Sequence, residues 1–326
     1  MRRFSALVLF SLFLVAPVAT AQDPCTHRVV PISIVQKNNV LMPDLTPTDF
    51  RAEIDGKRIP IGSVSNIVQP HRILLLLDAS GSMGDRWAAA LVLADQLAEA
   101  ELSDISFGLY VFGEKAGEEV GFGVDNRAVV AMLHEIAAGK VGRVGGRTPL
   151  RDAIISSLST FPKLGPGDVI FAITDGGDND DKSNYGDLLP ALLRKKVRLF
   201  LCLFTDPPDA PTPEERNQIT ADTATASGGL ILRDFSDVVF DDLDHKRNSA
   251  LNAAIDSTLV VILRQIVASR TIEFDLPAPI SKFEKWKLSF ATRALWSDGA
   301  KILYPQKLAP CAVLSTPTAP HPPAPR

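Results

Sequence analysis

Three shortages narrow what this chain can be. It has three cysteines in 326 residues, so at least one thiol stays unpaired in an oxidising compartment. It has no excess of positive charge: 34 Lys and Arg against 38 Asp and Glu leave a net charge of -4. That balance argues against nucleic acid, because phosphate binding needs a concentrated basic surface. The densest basic cluster, Arg194-Lys195-Lys196 with Arg198, ends one expected helix and opens the next strand, where cations favour a helix C-terminus. The five histidines, His27, His71, His134, His245 and His321, lie far apart in sequence without metal-ligand pairing. Signatures of catalysis are missing as well. The glycine-rich loop 142–148 lacks the Gly-Lys-Ser/Thr ending of a phosphate cradle, and no Gly-x-Ser-x-Gly surrounds Ser80 or Ser82. The expectation is a protein that is not an enzyme.

What is present begins with an address. Arg2 and Arg3, an apolar stretch over 4–18, and Ala19-Thr20-Ala21 before Gln22 form a signal peptide with a small-residue cleavage site. The alternative, an uncleaved anchor, is disfavoured by a stretch short for a span and broken by Pro17. The chain is therefore expected to be exported, either periplasmic or secreted, with no transmembrane segment in the mature form. Cys25 lacks the small and apolar residues upstream that lipidation would need. With 46% hydrophobic and 22% charged residues, the remainder is globular and long enough for a large core.

From residue 72 to about 270 apolar runs alternate with amphipathic ones. Strands are predicted at 73–77, 105–112, 169–174, 197–204 and 229–232; helices at 85–101, 127–138, 149–160, 185–195, 213–226 and 249–268. Such alternation implies an α/β fold with a doubly wound, mostly parallel sheet. On the flanks the period changes to two. Ala52, Ile54, Ile59 and Ile61 alternate around Asp55-Gly56, a hairpin signal; Ile272, Phe274 and Leu276, then Trp286, Leu288 and Phe290, alternate near the other end. Asp298-Gly299 supplies a second turn. Neither flank can close a core alone, so together they are expected to form one small β-sandwich. The resulting organisation is a signal peptide at 1–21, a β segment at 22–70, the α/β domain at 71–270, a second β segment at 271–312 pairing with the first, and a Pro-rich disordered tail at 313–326. Cys202 lies in a doubly buried strand and reads as a core residue. Cys25 and Cys311 flank everything that folds, and a disulfide between them is the working hypothesis.

Asp78-Ala79-Ser80-Gly81-Ser82 follows the apolar run 73–77, at the carboxyl end of a central strand, where open α/β sheets place ligands. One carboxylate and two hydroxyls on alternate residues can converge on a hard divalent cation. They also suit a turn or a helix cap. Two more oxygen donors open at the same sheet edge: Thr148 in the loop Gly145-Gly146-Arg147-Thr148-Pro149, and Asp175 of Asp175-Gly176-Gly177 after the strand 169–174. Thr148 before Pro149 also fits a helix N-cap, and Asp85 is expected to cap the helix that follows it. Asp178-Asn179-Asp180-Asp181 lacks the ligand spacing of a calcium loop and reads as solvated.

Asp78-x-Ser80-x-Ser82, the separate Thr148, and Asp175 after a buried strand together resemble the metal-ion-dependent adhesion site of von Willebrand factor type A domains, over roughly residues 72–270. The lead-in at 45–57 is similar to that of an exported bacterial group of von Willebrand A-related proteins known chiefly from Acidobacteria. The resemblance implies one Mg²⁺, with Mn²⁺ or Ca²⁺ as alternatives, held by Ser80, Ser82 and Thr148, with Asp78 and Asp175 acting directly or through water. It further implies an adhesion-type module that binds a carboxylate of a protein partner. The alternative is a structural component of the cell envelope that makes its contacts through the terminal β-sandwich, the metal mainly stabilising loops. A metal-dependent hydrolase is weakened by the lack of a general base beside the motif.

Overall fold

The computed structural model describes residues 23, 25–35, 45–67, 71–100, 105–114, 116–123, 125–140, 145–177, 186–204, 214–232, 263, 266, 268–292 and 300–311. The signal peptide expected at 1–21, most of the helix expected at 249–268, the acidic stretch 178–181, the turn expected at Asp298-Gly299 and the tail 313–326 lie outside them.

The first four strands are β1 (His27–Val35), β2 (Phe50–Ile54), β3 (Lys57–Ile59) and β4 (Ile61–Asn66), with the clearest alternation in β2, where Phe50 and Ala52 are buried and Arg51 is exposed. Asp55 and Gly56 both adopt positive φ, 49° and 73°, as a two-residue type I′ hairpin between β2 and β3 requires. The predicted hairpin ran to Ile61, but pairing stops at Ile59. Pro60, with no N–H to donate, intervenes, and Ile61 opens a strand that pairs elsewhere, against Phe274.

Six strands form the central sheet: β5 (His71–Asp78), β6 (Ile105–Phe112), β7 (Ala116–Val120), β8 (Val169–Thr174), β9 (Arg198–Leu203) and β10 (Ile231–Leu232). Their order is β10-β9-β8-β5-β6-β7, all parallel except β7. The helices are α1 (Arg86–Glu99), α2 (Arg127–Ala137), α3 (Leu150–Ser157), α4 (Leu188–Lys195) and α5 (Glu214–Ala226). β5 shows why the sheet is covered on both faces. Ile73, Leu75 and Leu77 pack into a core with Leu93, Leu97 and Leu133 of α1 and α2, whereas Leu74 and Leu76 pack with Ile154 and Leu192 of α3 and α4. Strands buried on both faces are continuous apolar runs, and this one is. After β5 the chain first adds β6 on one side and later β8 on the other. The carboxyl end of β5 is thus a topological switch point, the crevice where such sheets bind ligands.

β11 (Arg270–Asp275), β12 (Glu284–Phe290), β13 (Lys301–Leu303) and β14 (Lys307–Leu308) return to the first four strands. Two four-stranded sheets result, β13-β1-β11-β4 and β14-β12-β2-β3, each mixing strands from both ends of the chain. Ile32, Phe50, Ala52, Ile272, Phe274 and Leu288 belong to one core between them. Trp286 stacks near Phe274 and edge-on to Tyr304, each at 5.2 Å between centroids. Cys25 and Cys311 are bonded across this sandwich with Cα atoms 5.0 Å apart, and Cys202 is a buried free thiol. Arg198, wholly buried on β9, ties the sandwich to the central sheet by donating to Ser33 Oγ of β1 at 2.6 Å and Ser269 Oγ at 2.7 Å.

Candidate metal centre

The site grows out of the end of β5. Asp78 is fully buried, and both its carboxylate oxygens accept hydrogen bonds: Oδ1 from the Ser80 N–H at 2.9 Å, and Oδ2 from the Thr174 hydroxyl at the end of β8 at 2.6 Å. Thr174 in turn accepts from the Gly176 N–H at 2.9 Å, which fixes the turn carrying Asp175. One neighbouring strand end therefore orients both carboxylates. Burial drives the pKa of Asp78 up to about 6, against the pull of hydrogen bonds from Ser80 and Thr174, with the charge of Asp175 adding to the rise.

Backbone contacts draw the glycine-rich loop onto the first one. The Gly81 N–H donates to Gly146 O at 2.9 Å, the Gly145 N–H to Ala79 O at 2.9 Å, and the Glu114 N–H to Gly145 O at 3.1 Å. A Cβ on Gly81 would stand 3.2 Å from Gly146 O, and one on Gly146 would run into the Glu114 side chain. Glycine is needed here so that the two backbones can touch.

Ser80 Oγ lies 3.0 Å from Ser82 Oγ, and Ser82 Oγ lies 3.3 Å from Thr148 Oγ1. Asp175 closes the group from the third loop: its Oδ1 accepts the Gly177 N–H at 2.9 Å and its Oδ2 stands 3.8 Å from Arg86 Nη1. Gly177 shows how these oxygens face one another. A Cβ there would lie 3.1 Å from Asp175 Oδ1, 3.5 Å from Ser82 Oγ and 3.5 Å from Thr148 Oγ1. Oxygens from three loops surround one point that the missing side chain leaves open. Three hydroxyls and two carboxylates, with no nitrogen or sulfur among them, suit a hard cation such as Mg²⁺ or Ca²⁺. The structure thus brings together all five sequence-selected residues, Asp78, Ser80, Ser82, Thr148 and Asp175.

The capping alternatives resolve differently. Pro149 occupies the N-cap position of α3 and Asp85 that of α1, and neither helix has a side-chain cap bond. Thr148 is one residue outside and turned to Ser82. Sequence reasoning missed a second donor set: His134 Nε2 on α2 lies 3.2 Å from Asp95 Oδ1 and 3.9 Å from Glu99 Oε1 on α1. The three ligand atoms are within 4.8 Å of one another. Asp95 and Glu99 are spaced i, i+4 and must share a helix face, but only the α1–α2 packing brings in the histidine. His71, at the opposite end of β5, is buried and remote from the five-residue site.

A doubly wound sheet with hydroxyl and carboxylate donors at its switch point agrees with the von Willebrand A-type domain that the sequence resembles. A family model described as "VWA domain containing CoxE-like protein" matches residues 57–226, just over half of the chain, and the chain belongs to this family. Among solved structures, it is similar to an aerotolerance-related membrane protein from Bacteroides fragilis NCTC 9343, at 19% identity over 60% of this chain and 98% of that one, TM-score 0.44. It is also similar to the conserved hypothetical protein BatB from Bacteroides thetaiotaomicron, at 19% identity over 58% and 98%, TM-score 0.39. The SpRpn10 VWA domain matches at 16% identity over 50% of this chain and 86% of that one, TM-score 0.36. No curated protein matches the chain significantly. Among the described residues no helix is long and apolar enough to cross a membrane.

Proposed function

We propose that this chain is an exported, non-enzymatic binding module whose metal-ion-dependent adhesion site captures an acidic group on a partner protein. The observation that carries the reading is the convergence of Ser82, Thr148 and Asp175 from three separate loops on the point left open by Gly177. In this reading Ser80, Ser82 and Thr148 hold a Mg²⁺ ion, Asp175 balances its charge, and Asp78 orients the serine loop while sharing that charge. Hydroxyls and water neutralise a dication incompletely, so the bound ion would offer a coordination position to a partner's carboxylate. The residues that would do this sit on a fixed scaffold. Asp78 is locked by Ser80 and Thr174, and Gly81 is locked to Gly146, so little ordering is required on binding. The signal-peptide pattern and the lead-in at 45–57, similar to exported bacterial relatives, support a periplasmic or secreted location.

The test is affinity capture from the envelope of the native organism with Mg²⁺ and with chelator, using the wild type, Asp78→Ala and Arg51→Ala. Arg51 is exposed on β2, where it pairs with Glu53 at 2.6 Å, and its loss should leave capture intact. A partner that binds equally in chelator, or equally to Asp78→Ala, refutes the metal-mediated reading.

The sandwich favours a second reading, in which its surface makes structural contacts in the envelope. Deleting residues 270–326 would remove four of its eight strands and the sandwich with them. Charge reversal at Lys285 and Lys287, exposed on β12, is the cleaner test. Association lost there but retained in chelator would favour this reading over the first.

A further inference from the structure

A cleft away from the metal centre gathers three cations where the α4–β9 turn meets the end of the sandwich. It is open to solvent, and its walls include Arg28 of β1, Lys196 of the turn and Lys307 of β14, with Val30, Leu193 and Leu308 as apolar lining. Two features set these cations apart from a solvated surface cluster. Arg28 Nε and Nη2 are buried and have no hydrogen-bond acceptor among the described residues, a costly arrangement for a guanidinium. Lys196 occupies the residue after α4 in the left-handed conformation, φ 58°, where glycine or asparagine is the usual choice. A non-glycine residue there carries strain that the surroundings must support, and this one lines the cleft.

The two cations also oppose each other. Partial desolvation and then the charge of Arg28 hold the Lys196 ammonium below its ordinary pKa, and burial does the same to Arg28, offset in part by Asp23. None of Arg28, Lys196 and Lys307 forms an ion pair among the described residues. Two buried guanidinium nitrogens without an acceptor, the mutual repulsion of the cations and the apolar walls suit a further negative charge, beyond that of Asp23, carried on an apolar body. We propose that this cleft is an anion-binding site that takes a carboxylate or phosphate head group carried on a short apolar chain. Arg28 suits oxyanion recognition, and the apolar lining suits the tail.

Isothermal titration calorimetry in EDTA, which removes the metal centre as a competing anion site, tests this with hexyl phosphate, hexanoate and inorganic phosphate. The variants are Lys196→Gly, which supplies the residue that φ 58° favours and so keeps the fold, and Arg28→Met, which loses no hydrogen bond of the guanidinium at Nε or Nη2. Saturable binding of hexyl phosphate or hexanoate, weakened by about tenfold or more in either variant, is expected; which probe binds tighter tells phosphate from carboxylate. Absence of binding at a probe concentration of about 10 mM, or equal binding by the wild type and both variants, overturns the proposal. Equal affinity for inorganic phosphate and hexyl phosphate overturns its apolar half.

Discussion

Replacing Asp78 by Asn should make the metal-free protein more stable, although it removes a carboxylate of the candidate site. The buried Asp78 carboxyl has its pKa raised from 3.8 to about 6, which corresponds to about 3 kcal/mol against the ionised form at neutral pH. Because the folded pKa is the higher one, the protein is free of this penalty below pH 3.8 and loses that stability progressively as pH rises through about 6. Asparagine cannot ionise and avoids that loss. It must still turn one donor toward Thr174, whose hydroxyl now donates to Oδ2, and the disturbed hydrogen bond costs about 1 kcal/mol. The net expectation is a gain of about 2 kcal/mol at pH 7 in chelator. Urea unfolding of both proteins in EDTA, at a series of pH values from about 4 to 8, measures it. The wild type should lose stability relative to the variant across this window, and excess Mg²⁺ should reverse the order at pH 7, since a ligand at 100 times its Kd adds about 2.7 kcal/mol. Stability curves that stay parallel through the window, or a variant weaker than the wild type in chelator at pH 7, would refute the assignment of Asp78 as a carboxylate held charged at a cost.

Other expectations follow from single contacts. Gly177→Ala places a methyl 3.1 Å from Asp175 Oδ1 and 3.5 Å from two hydroxyls; it should leave the melting temperature nearly unchanged while Mg²⁺ affinity, read by calorimetry, falls by about tenfold or more. Gly229→Ala should cost about 4 kcal/mol in urea unfolding, because its Cβ would overlap the Leu199 carbonyl, part of the backbone of β9. Reducing Cys25–Cys311, which span 286 residues, should lower stability by up to about 5 kcal/mol, with unfolding in reductant as the readout; an unchanged midpoint would remove the bond from the account. Arg198→Ala should cost about 3 kcal/mol in the same assay, since it removes the donor that Ser33 and Ser269 share and opens a buried cavity at the junction between sandwich and sheet.

The central sheet was readable because its strands are buried on both faces. The runs at 105–112 and 169–174 became β6 and β8 without a change of boundary, and the Asp55-Gly56 turn declared itself through two residues that tolerate positive φ. The strand β7 was not readable: Ala116–Val120 contains Gly117, Glu118 and Glu119 and shows no apolar alternation, as suits an edge that must not pair further. The five residues of the candidate site could be picked out together from sequence because each follows or precedes a recognisable element at one sheet edge. The backbone bonds that pull Gly145 and Gly146 onto Ala79 and Gly81 could not, since they are properties of the packed loops. The same holds for His134 beside Asp95 and Glu99, and for Arg28, Lys196 and Lys307, which come from three distant segments.

Each sheet of the sandwich pairs an early strand with a late one, β1 with β11 and β2 with β12, and the bond between Cys25 and Cys311 joins the ends outside them. Mechanical load makes the arrangement matter. A pull applied at the two ends of the chain would run through the covalent bond at residues 25 and 311 and bypass the 285 residues between them. The central sheet and its ligand loops would then hang from the sandwich as an unloaded side branch. A tether attached at either terminus could be strained by the surroundings while the grip of the binding loops stayed the same.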